Sequence, residues 1–267
     1  MTRFEKLKAA RRVVVKVGTS SLTHPGGKLN LKRLENIAKV LSDLKNGGKE
    51  IVLVTSGAIG VGMGRLGLDE KPVEVSKKQA LAAIGQSRLM AIYDKFFAEF
   101  GYATAQVLLT KNVLDEAESY QNIVNSVDTM LDYGVIPIVN ENDVISTYEI
   151  QFGDNDALSA HVARFINADL LVIWSDIDGL YDANPADNPS AAVIPVVDTI
   201  DGYILSLGGA AGTSRGTGGM ATKLAAAQIA AGAGIDMVIT NGARPDELYA
   251  LLDGKPVGTL FCGRKGE

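Results

Sequence analysis

The chain has 267 residues, a formal net charge of −5, 46% hydrophobic and 21% charged residues: enough chain for a large core, and no basic field to draw a nucleic acid. Its single cysteine, Cys262, excludes an internal disulfide and a multi-cysteine metal site, and fits a reducing compartment. The charged start MTRFEKLKAARR lacks an apolar signal core and no run of about 18 apolar residues occurs, so a cytoplasmic protein without a membrane partner is expected.

The first strand is expected at Val13–Val17, where four valines surround Lys16. Such a run suits a strand buried on both faces. A lysine inside it must meet an anion or bear a heavy desolvation cost. An internal carboxylate would serve, and so would a bound polyanion. The GTSS that follows favours the polyanion, because Gly18 and a row of N–H groups can cradle phosphate. It is not a Walker A loop. A helix is expected over Leu31–Leu44, with Leu31, Leu34, Ile37, Ala38, Leu41 and Leu44 at helical spacing, Asn30 as N-cap and NGG at 46–48 as stop.

Strand Ile51–Thr55 runs into SGAIGVGMG, with Ser56 and Gly57 at the turn into a helix. Its glycines loosely resemble a dinucleotide fingerprint, which would make the chain a Rossmann oxidoreductase. The first strand does not carry that fingerprint, however, and no acidic residue closes a strand about twenty positions on. A carboxylate held on exposed N–H groups is the other reading.

Helical spacing returns over 76–100 and 119–133, with strands at Ala103–Leu109 and Val135–Val139. The stretch VISTYEIQFGDND at 144–156 breaks the rhythm and reads as a short projecting hairpin. NENDV and GDNDALSA bring Asn140, Asn142, Asp143, Asp154, Asn155 and Asp156 within seventeen residues. Carboxylates and amides together suit an ammonium ligand, or a metal ion held through oxygen. Asp154 or Asp156 could also cap the helix expected over Ala157–Asn167.

Strand Leu170–Trp174 leads into SDIDGLY, where Ser175 and Asp176 are candidate ligand contacts and Asp176 is equally a turn residue. Six of the 29 glycines fall between Gly208 and Gly219, as in a flexible linker or a loop pressed against a ligand. An alanine-rich helix follows over Lys223–Ala233, and a last strand over Met237–Thr240. A lysine at a helix N-terminus is disfavoured unless an anion lies there. The segment Thr217, Gly218, Gly219, Met220, Ala221, Thr222, Lys223 therefore reads as a phosphate loop. His24 and His161 follow no ligand or catalytic spacing.

Strands alternating with helices predict an α/β fold with a largely parallel sheet covered on both faces. Ligands in such sheets lie beyond the carboxyl ends of the strands. Four of these ends carry Gly, Ser, Asn or Asp, so one shared crevice is expected.

Together VVVKVGTSSL, IVLVTSGAIGVG, ALAAIGQSRLM, PIVNENDVI, GDNDALSA, SDIDGLYDANP and GTGGMATKLAAA resemble the amino-acid kinase family, from about Arg11 to Gly263. Within it they are most similar to the enzymes that phosphorylate the side-chain carboxylate of L-glutamate. The resemblance implies a three-layer α/β/α sandwich, an acyl phosphate product on the route to proline, and one domain over 1–267. About 1–167 would be its amino-acid half and about 168–267 its nucleotide half. Many members carry a further C-terminal domain resembling RNA-binding modules, and this chain is expected to be the form without it. Trp174-Ser175 stand where Leu-Thr is more usual.

A carboxylate acceptor is already ionised at neutral pH and needs no general base. Its difficulty is approaching a triphosphate, which calls for cations that screen the repulsion and hold the reacting oxygens in line. Lys16 and Lys223 are expected on the phosphates, with Asp156 orienting both, as the resemblance implies. Ser56 and Gly57 would take a substrate carboxylate, while Asn140, Asp143, Asp154 and Asn155 would surround the ammonium. Gly18, Ser175, Asp176 and Thr217 to Lys223 would line ATP. Mg²⁺ would be held by phosphate oxygens and water rather than by a protein cage. Proline feedback and a homodimer or homotetramer are further expectations.

Overall fold

A computed structural model of the chain describes residues 2–24, 28–110, 113, 116–146, 155–209 and 219–263. Its centre is one eight-stranded sheet in the order β3-β4-β2-β1-β5-β7-β8-β6. The strands are β1 Arg12–Val17, β2 Glu50–Thr55, β3 Thr104–Leu109, β4 Ile136–Glu141, β5 Leu170–Ser175, β6 Val196–Val197, β7 Asp236–Asn241 and β8 Thr259–Phe261. All neighbours are parallel except β7 and β8. The helices are α1 Thr19–Leu22, α2 Leu31–Asn46, α3 Ala58–Leu66, α4 Val75–Glu99, α5 Ala117–Asp132, α6 Asp156–Phe165, α7 Gly202–Ser206, α8 Met220–Gly232 and α9 Glu247–Leu252. None of the described helices is long and apolar enough to cross a membrane.

The period-two alternation of a strand sorts the core into two layers. Val13, Val15 and Val17 of β1 join one layer with Leu34, Ile37 and Leu41 of α2 and Leu89, Tyr93 and Phe97 of α4. Val14 joins the other with Val127 of α5, Ala160 and Ala163 of α6, and Ala226, Ala227 and Ala230 of α8. The alanines of α6 and α8 let these helices lie close together on the sheet, which is why α8 is so rich in them.

The expected strands and the long helices are present, with shifted ends. β4 runs on to Glu141, so Asn140 sits in the sheet opposite Leu108. α6 begins at Asp156 with Asn155 at the N-cap position, whose side chain does not cap, so Asp156 is the first helical residue rather than the cap, and Asp154 lies outside the described residues. α8 begins at Met220, three residues before the expected start, which puts Lys223 at the end of its first turn rather than at its first position. Val144 and Ile145 form a turn after β4. The rest of the expected hairpin, at 147–154, lies outside the described residues.

Two glycines set how α3 meets α4. A Cβ on Gly85 would overlap the Ala58 carbonyl oxygen and stand 2.6 Å from the Gly62 nitrogen, and one on Gly62 would overlap the Leu81 carbonyl. The two backbones touch there, which no larger residue permits.

Candidate active site

Parallel pairing aligns the carboxyl ends of the central strands. Val17 of β1 stands opposite Thr55 of β2 and Trp174 of β5, and Ser175 stands opposite Asn241 of β7. Lys16 is two residues beyond Val14 and so projects into the layer of α6 and α8. There its Nζ lies 2.5 Å from Oδ1 of Asp156, the first residue of α6. Oδ2 of the same carboxylate lies 3.1 Å from Nζ of Lys223 and accepts from Oγ1 of Thr222 at 3.1 Å, both on α8. Asp156 is fully buried, and each lysine is only 5% exposed. Two buried ammoniums thus meet at one buried carboxylate, an arrangement that offers an incoming anion two cations at once.

Helix starts surround it. α3 begins after Gly57 (φ 96°), and α8 after Gly219, both glycines that offer no capping side chain to the first N–H groups. The left-handed backbone at Gly57 is one that glycine adopts without strain. Gly18 starts α1, and a Cβ there would lie 3.8 Å from the Lys16 ammonium.

On the β2–β4 side, the Asn155 amide nitrogen donates to the Thr55 carbonyl (2.7 Å), Asn140 Oδ1 (2.7 Å) and Ser56 Oγ (3.1 Å). Asn140 in turn donates to Gln86 Oε1 of α4 at 2.9 Å. Asp143 is 5% exposed, and its Oδ1, like Asn155 Oδ1, has no hydrogen-bond partner among the described residues. Burial, with the neighbouring Glu141 charge adding to it, pushes the Asp143 carboxyl up to about 7, against the pull of Lys71. Glu141 is itself buried and accepts from Ser146 Oγ.

On the β5–β7 side, the buried Ser175 donates to the exposed Asp176 at 3.0 Å, and the Gly242 N–H bonds the Ser175 carbonyl at 2.8 Å. Asp178 accepts from Asn241 (2.9 Å) and from Arg244 (2.6 Å). The Asn241 hydrogen bond foremost, and Arg244 after it, hold the Asp178 carboxyl below the usual carboxylate range. Met220 packs partly into the core and Ala221 is exposed. Trp174 is 1% exposed within the opposite layer, so it is a core residue and does not line this rim.

The structure thus brings Lys16, Asp156, Thr222 and Lys223 together, and gathers Ser56, Asn140 and Asn155 beside them. Asp154, Thr217 and Gly218 lie outside the described residues. Sequence reasoning missed Gln86, Glu141 and the Asp178–Asn241–Arg244 cluster. An acidic residue inside NEND was the one available signal for Glu141. Among the described residues, no group of three or more His, Cys, Asp or Glu side chains could hold a metal ion.

The amino acid kinase family model matches residues 11–241. A glutamate 5-kinase of Clostridium perfringens is 52% identical over 265 residues, covering 98% of both chains. That of Listeria innocua is 47% identical over 267 residues (98% of this chain, 97% of the other), and that of Symbiobacterium thermophilum 50% over 257 residues (96% and 98%). A UMP kinase from Bacillus anthracis has a similar fold, with a TM-score of 0.66 at 20% identity, covering 96% of this chain and 97% of that one. An isopentenyl phosphate kinase gives 0.64 at 17%, covering 94% and 100%.

Proposed function

The chain belongs to the amino acid kinase family, among its glutamate 5-kinases, and on that premise we propose that it transfers the γ-phosphoryl group of ATP to the side-chain carboxylate of L-glutamate. The observation that carries this reading is the convergence of Lys16 and Lys223, one from each half of the chain, on the single carboxylate of Asp156.

The acceptor carboxylate is ionised at neutral pH, so proton removal is no part of the step. Its oxygen attacks phosphorus, the bond to the β-phosphate oxygen breaks, and ADP leaves. Charge accumulates on the transferring group and on the leaving oxygen. Lys16 neutralises the former and Lys223 the latter, while Asp156 and Thr222 keep both ammoniums in a fixed place, so that no reorganisation accompanies the reaction. Burial strengthens each of these interactions.

Glutamate's α-carboxylate lies on Ser56 Oγ and the N–H groups after Gly57. Its ammonium meets the Asp143 carboxylate and the Asn155 Oδ1, with Asp154 completing the ring. Both polar atoms of Asn140 are already engaged with Asn155 and Gln86, which gives Asn140 a supporting part. The adenosine end lies along Ser175 and Asp176, and the phosphates along Gly18 and Thr217 to Lys223. Mg²⁺ would be held on the nucleotide's phosphate oxygens and water, as that small ion favours, and would lend further positive charge to the phosphates. The amino-acid half is 1–167 and the nucleotide half 168–267. The acyl phosphate product feeds proline formation in the cytoplasm, with proline as feedback inhibitor and a homodimer or homotetramer as the assembly.

ADP formation that depends jointly on ATP and glutamate tests the reading. Equal or faster turnover of aspartate would defeat the substrate assignment.

A further inference from the structure

Four side-chain amides form a chain across the molecule. Asn155 donates to Asn140 Oδ1 (2.7 Å), Asn140 to Gln86 Oε1 (2.9 Å), and Gln86 to Gln106 Oε1 (3.2 Å), from a fully buried N-cap position to the exposed edge strand β3. An amide can present either its NH₂ or its oxygen, so the direction of the chain needs a cause. The Thr55 carbonyl supplies it. That oxygen only accepts, and it lies 2.7 Å from the Asn155 side chain, which must offer its NH₂ there. The same NH₂ meets Asn140, so Asn140 presents its oxygen to Asn155 and its NH₂ to Gln86. Gln86 then presents its oxygen to Asn140 and its NH₂ to Gln106.

One atom is left over. Asn155 Oδ1 is buried, adjoins Asp156 in the chain and has no hydrogen-bond partner among the described residues. Leaving it so costs free energy that a ligand N–H would recover.

We propose that Gln86 is a positioning residue for amino-acid recognition: acting through Asn140, it holds Asn155 with its carbonyl oxygen directed to the substrate ammonium. This rests on the glutamate reading above. Gln86 touches no substrate. It secures the orientation that the Thr55 carbonyl selects in a distant amide, because without the Gln86 acceptor Asn140 is free to flip and offer Asn155 an NH₂ instead. Two NH₂ groups would then face each other, and Asn155 would turn or shift.

The test compares Gln86→Leu with Gln86→Glu. Glutamate at this position keeps an oxygen for the Asn140 NH₂ and loses only the donation to the exposed Gln106. Gln86→Leu should raise the KM for glutamate about tenfold, with a much smaller change in kcat and none in the KM for ATP. Gln86→Glu should recover most of that loss. A parallel change in both KM values, or equal loss in the two variants, would overturn the inference. A second readout needs no turnover. In ¹⁵N spectra of the ligand-free protein, the side-chain NH₂ resonances of Asn140 and Asn155 should exchange slowly in the parent and in Gln86→Glu. They should shift and exchange faster in Gln86→Leu. Unchanged resonances in Gln86→Leu overturn the positioning role, whereas a parent inactive on glutamate overturns the substrate reading and leaves the spectra to judge the amide chain.

Discussion

The Lys223 ammonium lies 3.1 Å from the Asp156 carboxylate, a contact that joins positions 67 residues apart. With Lys16 on the other oxygen, Asp156 holds both cations. Lys16→Met and Lys223→Met should each lower kcat by roughly 10²–10³, with circular dichroism unchanged. Asp156→Asn should also destabilise the fold, by about 3–5 kcal/mol, because two buried ammoniums then lose the carboxylate they share. Adding Lys16→Met to Asp156→Asn should restore part of the urea midpoint while activity stays lost. Parent-like turnover in either lysine variant would remove that lysine from the mechanism.

With Asp143 on the substrate ammonium, as proposed, glutamate binding should depend on pH. Its carboxyl, raised to about 7 with Glu141 and Lys71 as its charged neighbours, must be ionised to hold an ammonium. The KM for glutamate should therefore fall about tenfold between pH 6 and pH 8, following one ionisation near 7. Stability runs the other way. The folded state holds this proton more tightly than the unfolded chain, so the contribution is complete below the unfolded value near 4 and is lost as pH rises through about 7. Asp143→Asn should raise the melting temperature above pH 7 and abolish the pH dependence of KM. A KM flat across that range in the parent would refute the assignment.

Gly85 is predicted to tolerate no side chain. Gly85→Ala forces α4 away from Ala58 and Gly62, at a cost of about 1–3 kcal/mol. The start of α3 beside Ser56 moves with it, so the KM for glutamate should rise while that for ATP holds. Differential scanning calorimetry and steady-state kinetics check the two halves of this statement.

Arg244 and Asn241 clamp Asp178, two residues beyond Asp176. Arg244→Ala should raise the KM for ATP roughly fivefold, an effect of the size of one partly exposed charged contact, and leave glutamate kinetics unchanged. A rise in the glutamate KM alone would detach this cluster from the nucleotide.

How much of this could be read from the residues depended on the range of the cause. Val13–Val17 and Leu170–Trp174 announce themselves because burial on both faces demands continuous apolar runs. Lys16 was legible for the same reason, as the residue such a run should not contain. β6, with two residues, and β8, with three, are too short to carry a period. The α3 helix announced itself only by the turn at Ser56 and Gly57, since glycines such as Gly62 serve backbone contact rather than helix propensity. Gln86 looks like any polar residue on a helix surface, since its part is defined by Asn140, 54 positions away. Asp178, Asn241 and Arg244 sit among turn residues, and only the fold brings them together.

The strand that carries Lys16 is laddered to β2 on one side and to β5 on the other. It belongs equally to both halves of the chain, and no hinge can be drawn between them without unzipping it. A fragment ending at residue 167 would leave the inner edge of β1 bare, a surface primed to stick to its own kind.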